Sequence, residues 1–334
     1  MNKFAKVMCM IAVVALAFTS CKKKENEKSV IRNVTTQEFV DVHDEEDGAK
    51  AYIDGNRMKF EPGDMFELIA YGYNSVGSTK NGHNTYKYYV EPGDEYWDVE
   101  PLTAPYIYEI ANADSWYGFY PARNLTSIDL RNDHARATFT LSDTQTYRPG
   151  NIVPENALYM ACKDATHKNL STIQLDFQNI CGIMCLQLYS STGMRKVRSI
   201  EITDHAFNIV GDVSCNIDQI VSGTLQSWCE NYEYTDANNA QLYQDLQTHF
   251  GYESGNNAKR TITLDCSNGG NGVALGTDAA SATKFYIVMR PLALIKGVDI
   301  TVKFTSGPDW EISSYQDNRI MPNVIKKLNP RDVG

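Results

Sequence analysis

The sequence predicts an all-β protein made of two consecutive β-sandwich domains. Short apolar segments rich in Tyr, Val and Ile alternate with turn-forming Gly, Pro, Asn and Asp along most of the chain, a pattern typical of antiparallel sheets. The 334 residues are too many for one small sandwich and suit two domains of about 150 residues each. We therefore expect an N-terminal sandwich over residues 34–167 and a C-terminal sandwich over residues 168–334.

The first part of the chain has the features of a bacterial export signal. A basic start, an apolar run over residues 7–18 and two small residues make up residues 1–20. The run is about a dozen residues long, whereas a transmembrane helix needs about 20, so we interpret residues 1–20 as a cleaved signal peptide. Cys21, directly after small residues, resembles the acylated cysteine of the bacterial lipobox and predicts a lipid anchor. The alternative is an ordinary signal peptide followed by an incidental cysteine.

The next residues, 21–33, are polar without apolar periodicity, which predicts a tether. The formal net charge of the whole chain is −10, and loss of two lysines with the signal peptide makes the mature chain more acidic. Phosphate contacts require clusters of Lys and Arg. The one basic run, residues 22–24, lies beside the predicted lipid and suits headgroup contact or a solvated tether. We therefore expect no nucleic-acid partner.

Residues 34–42 form the first predicted strand of the N-terminal sandwich, and the acidic run 43–48 ends it. That run lacks the spaced ligands of a calcium loop, so we interpret it as a solvated loop. Glu-Pro-Gly-Asp occurs twice before a strand, where Gly supplies the positive φ of a type II turn. The other predicted strands of this domain are residues 64–73, 85–90, 106–110, 116–120, 136–141 and 157–162.

Two neighbouring segments are predicted to be central to the C-terminal sandwich, which begins after the polar stretch 162–168. Residues 173–177 alternate between apolar and polar, and residues 180–188 are apolar almost throughout, as expected when both sheet faces are covered. One short helix is predicted between Asp236 as N-cap and Gly251 as the C-terminal glycine. The remaining predicted strands are residues 196–203, 209–216, 260–264, 285–289 and 298–305.

Cysteine usage leaves the disulfide pattern open. Export permits disulfides, and free buried thiols that behave as small apolar residues are the alternative. Cys181 and Cys185 cannot bridge each other if they share a strand, because four strand residues span about 13 Å. The six cysteines of the mature chain, apart from Cys21, are Cys162, Cys181, Cys185, Cys215, Cys229 and Cys266.

The chain carries no recognisable catalytic or metal-binding motif. Its histidines are scattered, there is no nucleophile elbow or phosphate-binding loop, and no two carboxylates stand out as a catalytic pair. We therefore predict a non-enzymatic protein without catalytic residues, metal ligands or cofactors. Aromatic residues in segments 86–89, 106–108 and 116–120 have the chemistry to stack on sugars, but Tyr is also a favoured strand residue. Core packing is therefore the favoured interpretation of these segments.

Four segments of the chain carry a family resemblance: Phe60-Glu-Pro-Gly-Asp64, Trp116-Tyr-Gly-Phe-Tyr-Pro121, Pro154-Glu-Asn-Ala-Leu-Tyr-Met-Ala161 and Leu175-Asp-Phe-Gln-Asn179. They resemble the fimbrillin family of Bacteroidetes, the lipoprotein-derived subunits of surface fimbriae. They follow the lipobox in the family's order, and the resemblance covers residues 1 to about 215. It implies two transthyretin-like β-sandwiches, export to the outer membrane surface, cleavage by an arginine-specific protease, assembly by strand exchange and an adhesive role.

The resemblance also implies processing and exchange sites. Arg57 is the first candidate cleavage site, although Asn56 precedes it where the family usually has Thr, and Arg32 is the second. Cleavage after Arg57 would detach the strand 34–42 with the lipid and expose a groove. A donor segment from a neighbour, apolar at Ile320, Val324 and Leu328, would then fill it. The alternative is that both ends are ordinary terminal strands.

The expected function is a structural subunit of cell-surface fimbriae, or a lipoprotein associated with them. Its expected partners are other fimbrial subunits, outer-membrane lipid through Cys21, and a ligand on a host or bacterial surface. A monomeric surface lipoprotein that binds glycans is the alternative from a different class, and an enzyme of unrecognised type is the third. The roles of stalk, anchor and tip all stay open.

Overall fold

The structure is a computed structural model, and within its described residues it confirms the prediction of an all-β, sandwich-like fold. Besides the strands there is one short α-helix in the described part of the chain. The helix predicted between Asp236 and Gly251 lies outside it. The described residues are 30–37, 40–43, 60, 62–73, 79–99, 113–122, 125–131, 134–149, 154, 157–193, 195–223, 253–255, 257–293, 297–315 and 319–334.

In the described residues of the first half of the chain there are ten strands, and most lie where apolar alternation predicts them. The predicted strand 34–42 is divided into two, and the predicted strand 106–110 lies outside the described residues. The strands are β1 Val34–Thr36, β2 Val40–His43, β3 Met65–Tyr73, β4 Thr79–Glu91, β5 Asp94–Val99, β6 Ala113–Tyr120, β7 Leu125–Arg131, β8 His134–Leu141, β9 Thr144–Thr146 and β10 Met160–Asp164.

The second half contributes the other strands and the helix α1, Ile217–Val221, which Asn216 caps through its side chain. The strands are β11 Leu175–Asn179, β12 Gly182–Tyr189, β13 Lys196–Asp204, β14 Gly211–Asn216, β15 Glu253–Ser254, β16 Thr261–Asp265, β17 Val273–Ala274, β18 Thr283–Met289, β19 Leu292–Ala293, β20 Val298–Phe304, β21 Trp310–Ser314, β22 Arg319–Ile320, β23 Val324–Lys327 and β24 Arg331–Asp332.

The first sandwich packs a seven-stranded sheet, in the order β1-β11-β10-β6-β3-β4-β5, against a four-stranded sheet, β15-β14-β8-β7. Phe119 of β6 and Phe139 of β8 meet between the two sheets, with their ring centroids 5.7 Å apart. The opposite face of the seven-stranded sheet has its own aromatic core, in which Phe66 contacts Phe177 and Trp97. Both faces of the central strands are therefore buried.

The second sandwich packs the sheet β18-β12-β23-β2, with β24 beside β12, against the sheet β21-β20-β13-β16-β9, with β17 beside β13. Met184 and Leu186 of β12 face Val298 and Ile300 of β20 across a small apolar cavity. The side chain of Gln145 in β9 also joins the layers, because its amide exchanges two hydrogen bonds with the backbone of Val288 in β18. A separate short pair, β19 and β22, completes the described strands.

Strands from the two halves of the chain are interleaved. β11, β14 and β15 follow residue 168 but lie in the first sandwich, whereas β2 and β9 come from the first half and lie in the second. The apolar side chains of both sandwiches form one continuous cluster. The division of the chain into domains at residues 34–167 and 168–334 remains a prediction. In the structure, each sandwich contains strands from both of these ranges.

The prediction that residues 173–177 and 180–188 form a central pair of the second sandwich is wrong. β11 lies in the first sandwich and β12 in the second. The side chain of Asn179 causes the separation, because it bonds both the N–H and the C=O of Cys181 and turns the chain between the two strands. β12 itself is buried on both faces, as its continuous apolar sequence predicts.

The described cysteines are buried and form no disulfide with one another, while Cys229 lies outside the described residues; they are Cys162, Cys181, Cys185, Cys215 and Cys266. Burial raises the pKa of the Cys215 thiol to about 12, so this thiol stays protonated and packs as a small apolar group. Within the described residues, no helix has the length and apolar character needed to cross a membrane.

Candidate functional site

The N-terminal segment, described over residues 30–37 and 40–43, pairs with both sandwiches and is the candidate functional site. It begins on β5, where the backbone groups of Ile31 and Trp97 exchange two hydrogen bonds of 2.9 Å. The side chain of Ile31 is buried. Arg32 follows on the surface and is 57% exposed, and its guanidinium donates to both carboxylate oxygens of Asp94, at 3.4 and 3.1 Å. The segment is thus fixed to one end of the seven-stranded sheet.

Three residues later the same segment lies at the other end of that sheet. β1 pairs in parallel with β11, with Val34 opposite Leu175 and Thr36 opposite Phe177. The pairing extends at both ends, because Leu175 donates to the C=O of Asn33 and Gln37 donates to the C=O of Phe177. Since β5 and β1 are the two ends of the strand order, residues 31–36 close the sheet around its aromatic core.

The segment then enters the second sandwich as β2. β2 is parallel to β23, with Val40 opposite Val324 and His43 opposite Lys327. On its other side β23 is parallel to β12, with Ile183 opposite Ile325. A strand from residues 324–327 therefore lies between β2 and β12, and its Val324 and Ile325 side chains are buried.

The exchange residues predicted near the end of the sequence occupy three different environments. Ile320 is buried in β22 opposite Leu292, Val324 is buried in β23, and Leu328 is partly buried against the core. The backbone of Leu328 donates to the C=O of Cys185 at 2.9 Å and accepts from the side chain of Gln187 at 2.8 Å. In this chain the C-terminal segment thus completes its own sheet.

The last residues of the sequence are held in a polar socket that sequence reasoning missed. The guanidinium of Arg195 donates to the C=O groups of Val333 and Pro308 and stacks 3.9 Å from the centre of the Phe304 ring. Ser190 donates to the C=O of Gly334 at 2.8 Å. The partners lie well over a hundred residues apart in the sequence, so no local motif predicts these contacts.

Ser191 adds a further bond to the same socket. Its hydroxyl donates to the carboxylate of Asp332, and this bond, together with backbone N–H donors, lowers the pKa of that carboxyl below its usual range. The charged form of Asp332 is therefore favoured in the folded chain.

The other predicted sites have different outcomes. Cys21, the predicted lipidation site, and Arg57, the first candidate cleavage site, lie outside the described residues. The second cleavage site, Arg32, is described and lies between two backbone-paired positions, Ile31 and Val34. The sequence gives no sign that Arg32 would find Asp94, because the two residues are 62 positions apart.

Most of the aromatic residues considered for sugar stacking pack in the core, as the favoured interpretation predicts. Tyr86, Tyr88, Trp116, Tyr117 and Phe119 are buried. Burial first, and then the hydrogen bond to Glu95, raises the pKa of Tyr88 to about 12. Tyr89 differs, since it lies on the outer face of β4 and is 36% exposed.

Two polar clusters hold secondary structure elements together. Asp218 in α1 accepts hydrogen bonds from the ammonium of Lys163, the hydroxyl of Tyr117 at 3.1 Å and the N–H of Ala135 at 2.7 Å. Asp164, at the end of β10, accepts from backbone N–H groups of the loop over residues 166–174. These carboxylates join β6, β8, β10 and α1.

A third cluster contains a serine, an aspartate and a histidine, but in an order that does not activate a nucleophile. Asp299 lies between the other two, 2.8 Å from Nε2 of His205 and 2.6 Å from the hydroxyl of Ser313. A nucleophilic serine needs the histidine as its direct neighbour, so this arrangement ties β20 to β21 and to the end of β13. In the part of the chain that the structure describes, no group of three or more His, Cys, Asp or Glu is placed to hold a metal ion.

Known proteins with similar structures include adhesion and fimbrial proteins of Bacteroides. A candidate cell adhesion protein from Bacteroides ovatus is 11% identical with a TM-score of 0.47, and the match covers 82% of this chain and 84% of that one. A candidate cell adhesion protein from Bacteroides uniformis is 13% identical with a TM-score of 0.46, and the match covers 82% of this chain and 88% of that one. A fimbrial protein from Bacteroides vulgatus is 11% identical with a TM-score of 0.36, and the match covers 80% of this chain and 88% of that one. No protein-family model matches the chain, and no curated protein matches it.

Proposed function

We propose that this chain is a non-enzymatic subunit of cell-surface fimbriae, or a lipoprotein associated with them, and that its copies join by β-strand exchange. The observation that carries the proposal is the pairing of one N-terminal segment with both sandwiches. β1 covers the edge of β11 and β2 covers the edge of β23. A single cut downstream of residue 43 would therefore release a strand from each sandwich.

Arg57 is the favoured position for that cut. A protease binds its substrate as an extended, accessible segment, and the residues on both sides of Arg32 are already paired with β5 and β11. The ion pair with Asp94 restrains the Arg32 side chain as well. Cleavage after Arg57 would also separate the folded part from Cys21 and its lipid, so processing and release from the membrane would be one event.

The released strands would leave unpaired backbone groups on β11 and β23. Exposed edges of this kind accept a strand from another chain, and the main-chain hydrogen bonds supply most of the affinity. Loss of β2 also turns β23 from an inner strand into an edge strand, held on one side by β12. The segment over residues 320–328 is then easier to detach as donor to a neighbouring copy. Once it has left, β12 takes the place of β23 as the accepting edge of the second sandwich.

Limited digestion tests this mechanism. The purified lipoprotein is treated with an arginine-specific protease, the new N-terminus is sequenced, and unboiled samples are run on denaturing gels. We expect cleavage after Arg57 followed by ladders of polymers. Arg57→Ala should block both, whereas the matched variant Arg32→Ala should behave like the wild type.

Two results would reject strand exchange by this route. One is a chain that is cut after Arg57 and stays monomeric. The other is a chain lacking residues 320–334 that still forms polymers.

A further inference from the structure

The hairpin of β4 and β5 carries an aromatic pair on its outer face, in which Tyr89 is exposed and Tyr96 is partly exposed. Tyr89 and Tyr96 lie opposite each other, with their rings stacked at a centroid distance of 5.5 Å and an angle of 16°. Successive strand residues point to opposite faces, so the neighbours Tyr88 and Trp97 turn inward and are buried. Tyr89 and Tyr96 point away from the core, so core packing does not explain why aromatic residues occupy these two positions.

Charged groups flank this pair on both sides along the strands. On this face of the hairpin, cross-strand pairs form rows. Lys87 and Asp98 form the row on one side of the two tyrosines, and Glu91 and Asp94 form the row on the other side. Rows on one face are two residues, or about 7 Å, apart. The hydroxyl of Tyr96 donates to one oxygen of Glu91 at 2.9 Å, and Arg32 neutralises Asp94. The aromatic surface therefore lies between hydrogen-bonding groups of both signs.

The hairpin is rigid beneath this surface. On the inner face the ring of Tyr88 packs 4.9 Å from that of Trp97, and the Phe60 ring packs on Trp97 at the same distance. The connecting turn uses Gly93 at a φ of +83°, a conformation that other residues rarely adopt. A surface that is already ordered binds a ligand without the entropic cost of fixing its side chains.

We propose that the outer face of the β4–β5 hairpin, formed by Tyr89, Tyr96, Lys87, Asp98 and Glu91, is a glycan-binding site. The apolar C–H face of a pyranose ring packs on a Tyr ring, and the sugar hydroxyls bond to the flanking charged groups. The spacing of the rows suits one pyranose with hydroxyls at both ends. The inference goes beyond the proposed function, since it gives a binding site to the adhesive role that the family resemblance implies, and it is independent of strand exchange.

Other occupants fit this surface less well. A basic peptide would place its charge beside Lys87 and Arg32, and an apolar strand would remove charged groups from water without supplying partners for them. A neutral ligand with many hydroxyls meets neither penalty. It can donate to the carboxylates and accept from the ammonium group.

A glycan array probed with the uncleaved monomeric lipoprotein tests the site. We expect capture of a subset of glycans. Tyr89→Leu, which keeps apolar area but removes the flat ring, should weaken capture about three- to tenfold. Glu91→Gln should weaken it as well. The matched control is Tyr315→Ala, since Tyr315 is an aromatic residue of the second sandwich that is 70% exposed.

Unchanged thermal unfolding of the variants would show that the fold is intact. The inference is overturned if no glycan is captured, if Tyr89→Leu binds as the wild type does, or if Tyr315→Ala weakens binding equally. Because no cleavage is involved, failure here is distinct from failure of strand exchange.

Discussion

Removal of the Asp218 carboxylate should be among the most destabilising single changes in the first sandwich. The Asp218 and Lys163 side chains are 11% and 24% exposed, and the carboxylate serves three donors from β6, β8 and β10. Asp218→Ala leaves an ammonium, a hydroxyl and a backbone N–H without this acceptor. Breaking a buried ion pair by removing one partner costs about 3–5 kcal/mol, and we expect a loss of stability in that range.

Two further variants separate the charge from the hydrogen bonds. Asp218→Asn keeps an acceptor oxygen but loses the charge, so a smaller loss of about 1.5–3 kcal/mol is expected. In Lys163→Met with Asp218→Ala the unpaired ammonium is gone, and the double variant should be more stable than the sum of the single changes predicts, by at least about 1 kcal/mol. Urea unfolding followed by tryptophan fluorescence measures all of these changes.

The control is an ion pair on the surface of the same sandwich. Asp114 and Lys168 are 3.8 Å apart, with about half of each side chain exposed, and Asp114→Ala should cost less than about 1 kcal/mol. The reasoning about Asp218 is refuted if Asp218→Ala costs no more than Asp114→Ala, or if the effects of Lys163→Met and Asp218→Ala are additive.

Three other changes test separate parts of the molecule. Burial alone would raise the pKa of Asp164, but backbone N–H donors from the loop 166–174 outweigh it and lower that pKa. The contribution of Asp164 to stability is therefore complete above the unfolded pKa of about 3.9, and it is lost as the pH falls through the folded pKa. Asp164→Asn should thus lower the free energy of unfolding at neutral pH. In acid denaturation series its difference from the wild type should shrink as the pH falls, and a difference that grows would contradict the argument. A Cβ on Gly182 would lie 2.0 Å from Cγ2 of Ile320 and 3.1 Å from its backbone, so Gly182→Ala should cost about 1–3 kcal/mol in a thermal melt, and an unchanged midpoint would contradict this packing. Cys21→Ala should abolish incorporation of labelled palmitate and release the protein from membranes, and unchanged membrane partitioning would argue against a lipid anchor.

Local sequence pattern predicted strands well where one face is apolar. β20 alternates without interruption, and both its extent and its buried face match the pattern. β7 was missed because its pairing with β8 shifts register between Leu125 and Ser127, and the bulge disrupts the alternation of apolar residues. β5 was missed because its sequence, DEYWDV, is mostly charged and aromatic, and Trp97 is its main buried residue.

Long-range pairing could not be predicted from local pattern. Whether β11 and β12 share a sheet depends on the turn at Asn179 and on which edges are available, not on the apolar content of either strand. The same holds for the candidate site. The apolar positions Ile320 and Val324 indicated a buried strand, but their neighbours β19 and β2 are chosen by the whole fold.

The position of β2 has a consequence for the order in which the chain folds. Its partner β23 is made about 280 residues later, and closing a loop of that length costs about 5 kcal/mol in chain entropy. Folding dominated by such distant pairs is slow, and nearly the whole chain must be synthesised before β2 can pair. A chain stalled before residue 324 would leave β2 without its neighbour and β12 with an open edge, and such an intermediate is prone to aggregate.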